Sequence, residues 1–229
     1  MKFRSQLEKF KSLDKPDLEY SFEGFWKWKL ETEHELDYIL DKEHVDIAFN
    51  KLSNTLKKWR WARSNQLNNF EIFAPRLHDC LQNIPELYNH IRRYSLLDIE
   101  EMPVQLLRDL WDNIGCVKSL EKNENGWYLV MAATKPLVFL WGQTPAFDDV
   151  VRKAMPKFGM SGLTANRWDF KTWRDVLIEF KRELEEQEGL IEFFREISRE
   201  EYGNDDVVPY GQFLDLYYWT NKGKTSCHH

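Results

Sequence analysis

Glycine and proline are scarce in this chain of 229 residues, with ten Gly and eight Pro. Tight turns depend on those residues, so a many-stranded sandwich or barrel is disfavoured. Cysteine is scarcer still. Cys80, Cys116 and Cys227 are odd in number and widely spaced. They read as free thiols in a reducing cytoplasm. No apolar run reaches the roughly 20 residues that a membrane span needs. The opening segment, MKFRSQLEKFKSLDK, is charged throughout and lacks the apolar stretch of a secretory signal. An excess of positive charge is missing too. Lys plus Arg is 32 against 38 Asp plus Glu, a net charge of −6. That balance argues against a surface that clamps nucleic acid everywhere, but it leaves room for a local basic groove.

Aromatic residues are abundant: ten Trp, nine Tyr and fifteen Phe, 15% of the chain. Hydrophobic residues at 42% and charged residues at 31% make a globular composition rather than a disordered one. Long segments rich in Glu, Lys, Leu and Arg favour helix. Phe3, Leu7, Phe10 and Leu13 recur three or four apart and predict a helix over Lys2 to Leu13. The aromatic cluster Tyr20, Phe22, Phe25, Trp26 and Trp28 follows, with Ser21 as a candidate cap. The pattern is helical from Glu31 to about Arg63, and Asn65 to Asn69 reads as a loop. Short helices are expected over Pro75–Leu81 and Pro85–Tyr94, each with proline in its first turn, where the missing N–H costs least.

Further helices are expected over Pro103–Ile114, from near Asp148, and over Phe170–Glu186, Gly189–Tyr202 and Tyr210–Thr220. Glu121–Asn125 and Gly159–Asn166 read as loops. No repeat, low-complexity tract or Pro- or Gly-rich linker divides the chain. The expectation is a single all-α globular multi-helix domain over residues 1–229, with roughly nine or ten helices.

The most apolar stretch is WYLVMAATKPLVFLW, Trp127 to Trp141. It is apolar on every side and too short for a bilayer, so it is expected to be the core helix. Lys135 lies in its middle, followed by Pro136, which should kink or restart the helix. A buried ammonium is costly unless it is paired, snorkels out or has its pKa lowered. One reading makes Lys135 a nucleophilic amine. The other lets its stem carry the charge to the surface or to an acid. Asp148 opens the next helix and suits an N-cap, accepting backbone N–H groups. It also suits a carboxylate held charged beside a reacting centre.

The run ATKPLVFLWGQTPAFDDVVRKA resembles bacterial proteins of the 8-oxoguanine DNA glycosylase-like fold, in the helix-hairpin-helix glycosylase superfamily. The shared elements are Ala133-Thr-Lys135, the apolar helix to Trp141, Thr144-Pro145, and Asp148 followed by Val151. The terminal helix from Tyr210 to Trp219 fits the same pattern. The resemblance implies a DNA-glycosylase-like fold, DNA as partner, Lys135 as the nucleophile that attacks the sugar carbon, and Asp148 as its electrostatic partner. In that family a glycine-rich hairpin precedes the lysine. The matching stretch here is Asn123 to Tyr128, with Gly126.

A second candidate is the segment Lys57, Lys58, Trp59, Arg60, Trp61, Ala62, Arg63. Cations for phosphates and rings for bases are what single-strand binding uses. Basic residues at a helix C-terminus are also favoured by the dipole without any ligand. No metal site or cofactor is expected. The His residues lack helical ligand spacing, no Cys pair has it, and no phosphate-binding or dinucleotide glycine pattern is present. Cys227-His228-His229 is either native or a tag remnant and carries no functional reading. Three classes of function stand: a glycosylase-fold protein that binds or processes nucleic acid, a non-catalytic protein–protein interaction or accessory module, and an enzyme using Lys135 on a small polar substrate.

Overall fold

The computed structural model describes residues 22–36, 39–59, 63–64, 67–68, 70–118, 128–155 and 167–221. The expectations for Lys2–Leu13, Ser21, Arg60, Trp61, residues 121–125, residues 159–166 and Cys227-His228-His229 lie outside them. The architecture is all-α. Among the described residues there are ten α-helices, with two antiparallel two-stranded ribbons.

Helix α1 spans Phe22–Leu36 and α2 spans Val45–Lys58. The sequence pattern predicts a single helix from Glu31 to about Arg63, and the chain breaks it at Asp41. The Asp41 carboxylate accepts the N–H groups of Glu43 and His44 at 2.9 and 2.8 Å, and its own carbonyl accepts from Val45 at 2.9 Å. A short acidic side chain that bonds the backbone just ahead of it competes with helix and wins here. Beyond α2, β1 (Arg63–Ser64) pairs with β2 (Leu67–Asn68).

Helix α3, Phe70–Asn83, starts earlier than expected and carries Pro75 in its interior instead of its first turn. Pro75 is exposed and the buried face of α3 is Phe73, Ala74, Leu77 and Leu81, so packing on that face outweighs one lost backbone bond. Helix α4, Pro85–Ile91, has proline in its first turn as expected. Helix α5, Val104–Gly115, buries Leu107, Leu110, Trp111 and Ile114.

Helix α6 spans Val130–Leu140 and is the core helix. It begins later than the apolar run, because Tyr128–Leu129 forms β3 and pairs with β4, Arg167–Trp168. Of the two outcomes expected at Pro136, a kink or a restart, the restart does not occur. The helix continues through it, with every residue from Ala132 to Leu140 buried. Helices α1, α2 and α5 pack around it. Phe139 meets Phe22, Phe25 and Trp59 with ring centroids 5.6, 5.5 and 4.8 Å apart. Trp111 stacks on Trp173 at 4.8 Å.

Helix α7 is short, Asp149–Ala154. Helix α8, Phe170–Glu186, is capped by Asp169, whose side chain accepts the Thr172 N–H at 2.8 Å. Helix α9 spans Leu190–Tyr202 and α10 spans Tyr210–Asn221. Helices α8 and α9 match the amphipathic periodicity of their segments, and α10 starts where expected and is buried on nearly every side. No helix among the described residues is long and apolar enough to cross a membrane.

Candidate functional site

The site is built where α6, the loop Trp141–Asp148 and α10 cross. The loop is buried from Trp141 to Phe147, which demands that its polar groups find partners. Gln143 meets that demand for three segments at once. Its Oε1 accepts the Leu96 N–H at 2.8 Å, and its Nε2 donates to Val208 O at 2.9 Å. Thr134 Oγ1, on α6, lies 2.7 Å from Ala146 O and 2.8 Å from Val130 O. Trp173 Nε1 donates to Thr144 Oγ1 at 3.2 Å. Helix α10 approaches this loop through Gly211, whose N–H donates to Gly142 O at 2.9 Å. A Cβ on Gly211 would lie 2.2 Å from Thr144 N, so only glycine permits the crossing.

Lys135 is 8% exposed, so its stem does not carry the charge into bulk solvent. Its Nζ donates to the carbonyl of Trp59 at 2.6 Å. Trp59 caps the C-terminus of α2, and its ring packs edge-on to Phe139, 4.8 Å between centroids. Lys135 and Phe139 are four residues apart and share one face of α6. That face therefore holds Trp59 by both its ring and its carbonyl. The two candidate sites of the sequence, Lys135 and the Lys57–Arg63 segment, meet at this bond. Lys57 lies over the Phe70 ring, with Nζ 5.7 Å from the centroid. Lys58 is the last residue of α2, and Arg63 lies in β1.

Asp148 is half-buried and caps α7. Its Oδ1 accepts the Val151 N–H at 3.0 Å, and its carbonyl accepts from Arg152 at 2.9 Å. The residue before it, Phe147, has φ +48, a conformation that bulky residues avoid at about 1–2 kcal/mol. Packing holds it there. The Phe147 ring stacks on Phe180 at 5.8 Å and meets Trp168 tilted at 4.8 Å, and its carbonyl accepts from Arg152 Nε at 3.1 Å. Arg152 also pairs with Asp149.

A third ionisable group completes the cluster, and sequence reasoning assigned it no role. Asp215, on α10, is 4% exposed and accepts the Ala146 N–H at 2.9 Å. Burial and then the charge of Asp148 push its carboxyl up to about 8. The Ala146 bond and the charge of Lys135 oppose that rise and fall short. Asp215 therefore feels both sequence candidates, Lys135 and Asp148. Its signal in the sequence was an acid within a mostly apolar and aromatic helix. Among the described residues, no group of three or more His, Cys, Asp or Glu is placed to hold a metal ion.

Comparison with family models, with curated proteins and with solved structures returned no match.

Proposed function

We propose that this chain acts on nucleic acid through a glycosylase-like centre in which Lys135 is the reactive amine. The observation that carries this reading is the 2.6 Å bond from Lys135 Nζ to Trp59 O. It seats a buried amine at the root of a segment rich in cations and rings, the groups that bind phosphates and bases. Asp215 couples electrostatically to both Lys135 and Asp148.

In this reading the amine, once it has given up a proton, exchanges the Trp59 carbonyl for the sugar of a bound nucleotide. Its nitrogen forms a bond to the anomeric carbon as the bond from that carbon to the base breaks. The base leaves with the electron pair of the broken bond. The proton released by the amine passes to Asp148 and from it to the departing base. Asp215, mostly protonated at neutral pH, adds little of the negative charge that would keep the amine an ammonium.

The test is borohydride trapping with abasic single-stranded and duplex DNA, alongside gel shifts at low and moderate salt. The expected result is a covalent adduct that Lys135→Ala abolishes, while Asp148→Asn slows base release from base-bearing DNA about 100-fold. No adduct and no shift with any DNA overturns the reading. The same hydrogen bond favours a second reading, in which Lys135 only caps the negative end of α2. That reading predicts no adduct, and a Lys135→Ala variant less stable by about 1–2 kcal/mol. An interaction-module reading has less support. Among the described residues, the large exposed hydrophobics Ile47, Ile72, Val104 and Leu129 sit one on each of four elements.

A further inference from the structure

Cys80 and Cys116, which the sequence spacing sets apart as unrelated thiols, point at a single atom. Cys80 lies on α3, and Cys116 begins the 3-10 turn Cys116–Lys118 that follows α5. The Cys80 thiol donates to Asn113 O at 3.3 Å, and the Cys116 thiol donates to the same oxygen at 3.1 Å. Two sulfurs that share one acceptor are separated by no more than those two distances together. Helix α3 packs directly on the Cys116–Lys118 turn, so the backbones are neighbours as well. The thiols also sense each other electrically, since ionising Cys116 disfavours ionising Cys80. Cys116 is exposed and Cys80 half-buried, which leaves one sulfur open to a reagent and the other behind it. Arg76 on α3 and Asp112 on α5 face Cys116 with opposite charges.

We infer that Cys80 and Cys116 form a dithiol pair that low-molecular-weight disulfides of the glutathione type oxidise reversibly to an intramolecular disulfide. In the first step the Cys116 thiolate attacks the reagent disulfide. A sulfur–sulfur bond forms to Cys116 and one thiolate of the reagent leaves. In the second step the Cys80 thiolate attacks Cys116, and the remaining reagent thiolate leaves. The protein loses two protons and two electrons, and the reagent gains them as two thiols. Burial pushes the Cys80 thiol up to about 12 and raises Cys116 as well, so both steps speed up as pH rises. The cross-link would tie the hairpin of α2 and α3 to the end of α5. The inference rests on thiol chemistry alone and stands apart from the nucleic-acid reading.

The experiment uses the full chain with Cys227→Ser, treated with oxidised glutathione at mildly alkaline pH, alkylated and analysed by mass spectrometry. The expected product is lighter by two hydrogen atoms, has no titratable thiol, and yields a peptide pair joined at Cys80 and Cys116. Dithiothreitol restores both thiols. With Cys80→Ser added, a mixed disulfide with glutathione should persist at Cys116. A persistent glutathione adduct on the chain that retains Cys80, or two thiols left unreacted, overturns the inference.

Discussion

Asp215 is the residue on which the charge state of the centre turns. Its folded-state pKa lies far above that of a carboxyl in the unfolded chain, so the native state holds its proton more tightly. The contribution of Asp215 to stability is therefore full below about pH 4 and is lost as pH rises through about 8. Across that window the slope is at most about 1.4 kcal/mol per pH unit. Asp215→Asn keeps an acceptor for the Ala146 N–H and removes the titration. Urea unfolding at several pH values should show wild type losing stability between about pH 4 and about pH 8 relative to Asp215→Asn, with no further relative loss above that. Parallel curves for the two proteins would show that Asp215 does not titrate there. Glu183 is also pushed up by burial, against hydrogen bonds from Tyr218 and Gln187. It adds a slope of the same sign to both proteins, so only their difference reports on Asp215.

At the scale of elements, the crossing of α10 over the α6–α7 loop is the tightest joint in the site. A methyl on Gly211 would meet Thr144 N at 2.2 Å and the carbonyl carbon of Gln143 at 2.5 Å, both backbone atoms that cannot swing away. Gly211→Ala is expected to cost about 3 kcal/mol in denaturant unfolding, the upper end for an overfilled core. Gly203, with φ +68 and open space around it, should lose only about 1 kcal/mol on the same change. Equal losses at the two positions would contradict the steric argument.

Local pattern made several of these elements legible in advance. Apolar spacing carries α5, α8 and α9, and Asp169 and Asp148 stand where helix starts need acceptors. The break at Asp41 was hidden, because apolar residues keep helical spacing across it and only the side-chain bonds to Glu43 and His44 reveal it. The start of α6 was hidden too, since Tyr128–Leu129 becomes a strand by pairing with distant residues. Lys135 and Asp148 were visible as an odd charge in an apolar run and an acid at a helix start. The roles of Trp59 and Asp215 were not visible. Both reach Lys135 across long stretches of chain, and no local periodicity encodes such a meeting.

At the scale of the whole molecule, a second buried polar cluster braces the far end of α6. Lys29 Nζ pairs with Glu33 Oε2 at 2.8 Å, with Lys29 2% exposed and lying over the Trp26 ring. Tyr88 OH donates to Glu33 Oε1 at 2.6 Å and lies 3.1 Å from Leu140 O, the last carbonyl of α6. Burial lowers the Lys29 ammonium below its usual range, and Glu33 partly restores it. One cluster thus joins α1, α4 and α6. Removing a single member of a buried ion pair strands the other, so Lys29→Met is expected to cost about 3 kcal/mol. Adding Glu33→Gln should recover at least about 1 kcal/mol of that loss, because no lone charge is left behind. A double-mutant cycle by urea unfolding measures both values. Simple additivity of the two single changes would show that the pair is not coupled.

The order in which the chain leaves the ribosome gives the Gly211 crossing a temporal meaning. Trp59, Lys135 and Asp148 emerge well before α10, which brings both the glycine contact with Gly142 and the Asp215 carboxyl. The amine and its capping carbonyl can therefore meet early in synthesis, while the inner wall of the cluster arrives with the last described helix. A nascent chain carries an unfinished cluster until that helix docks.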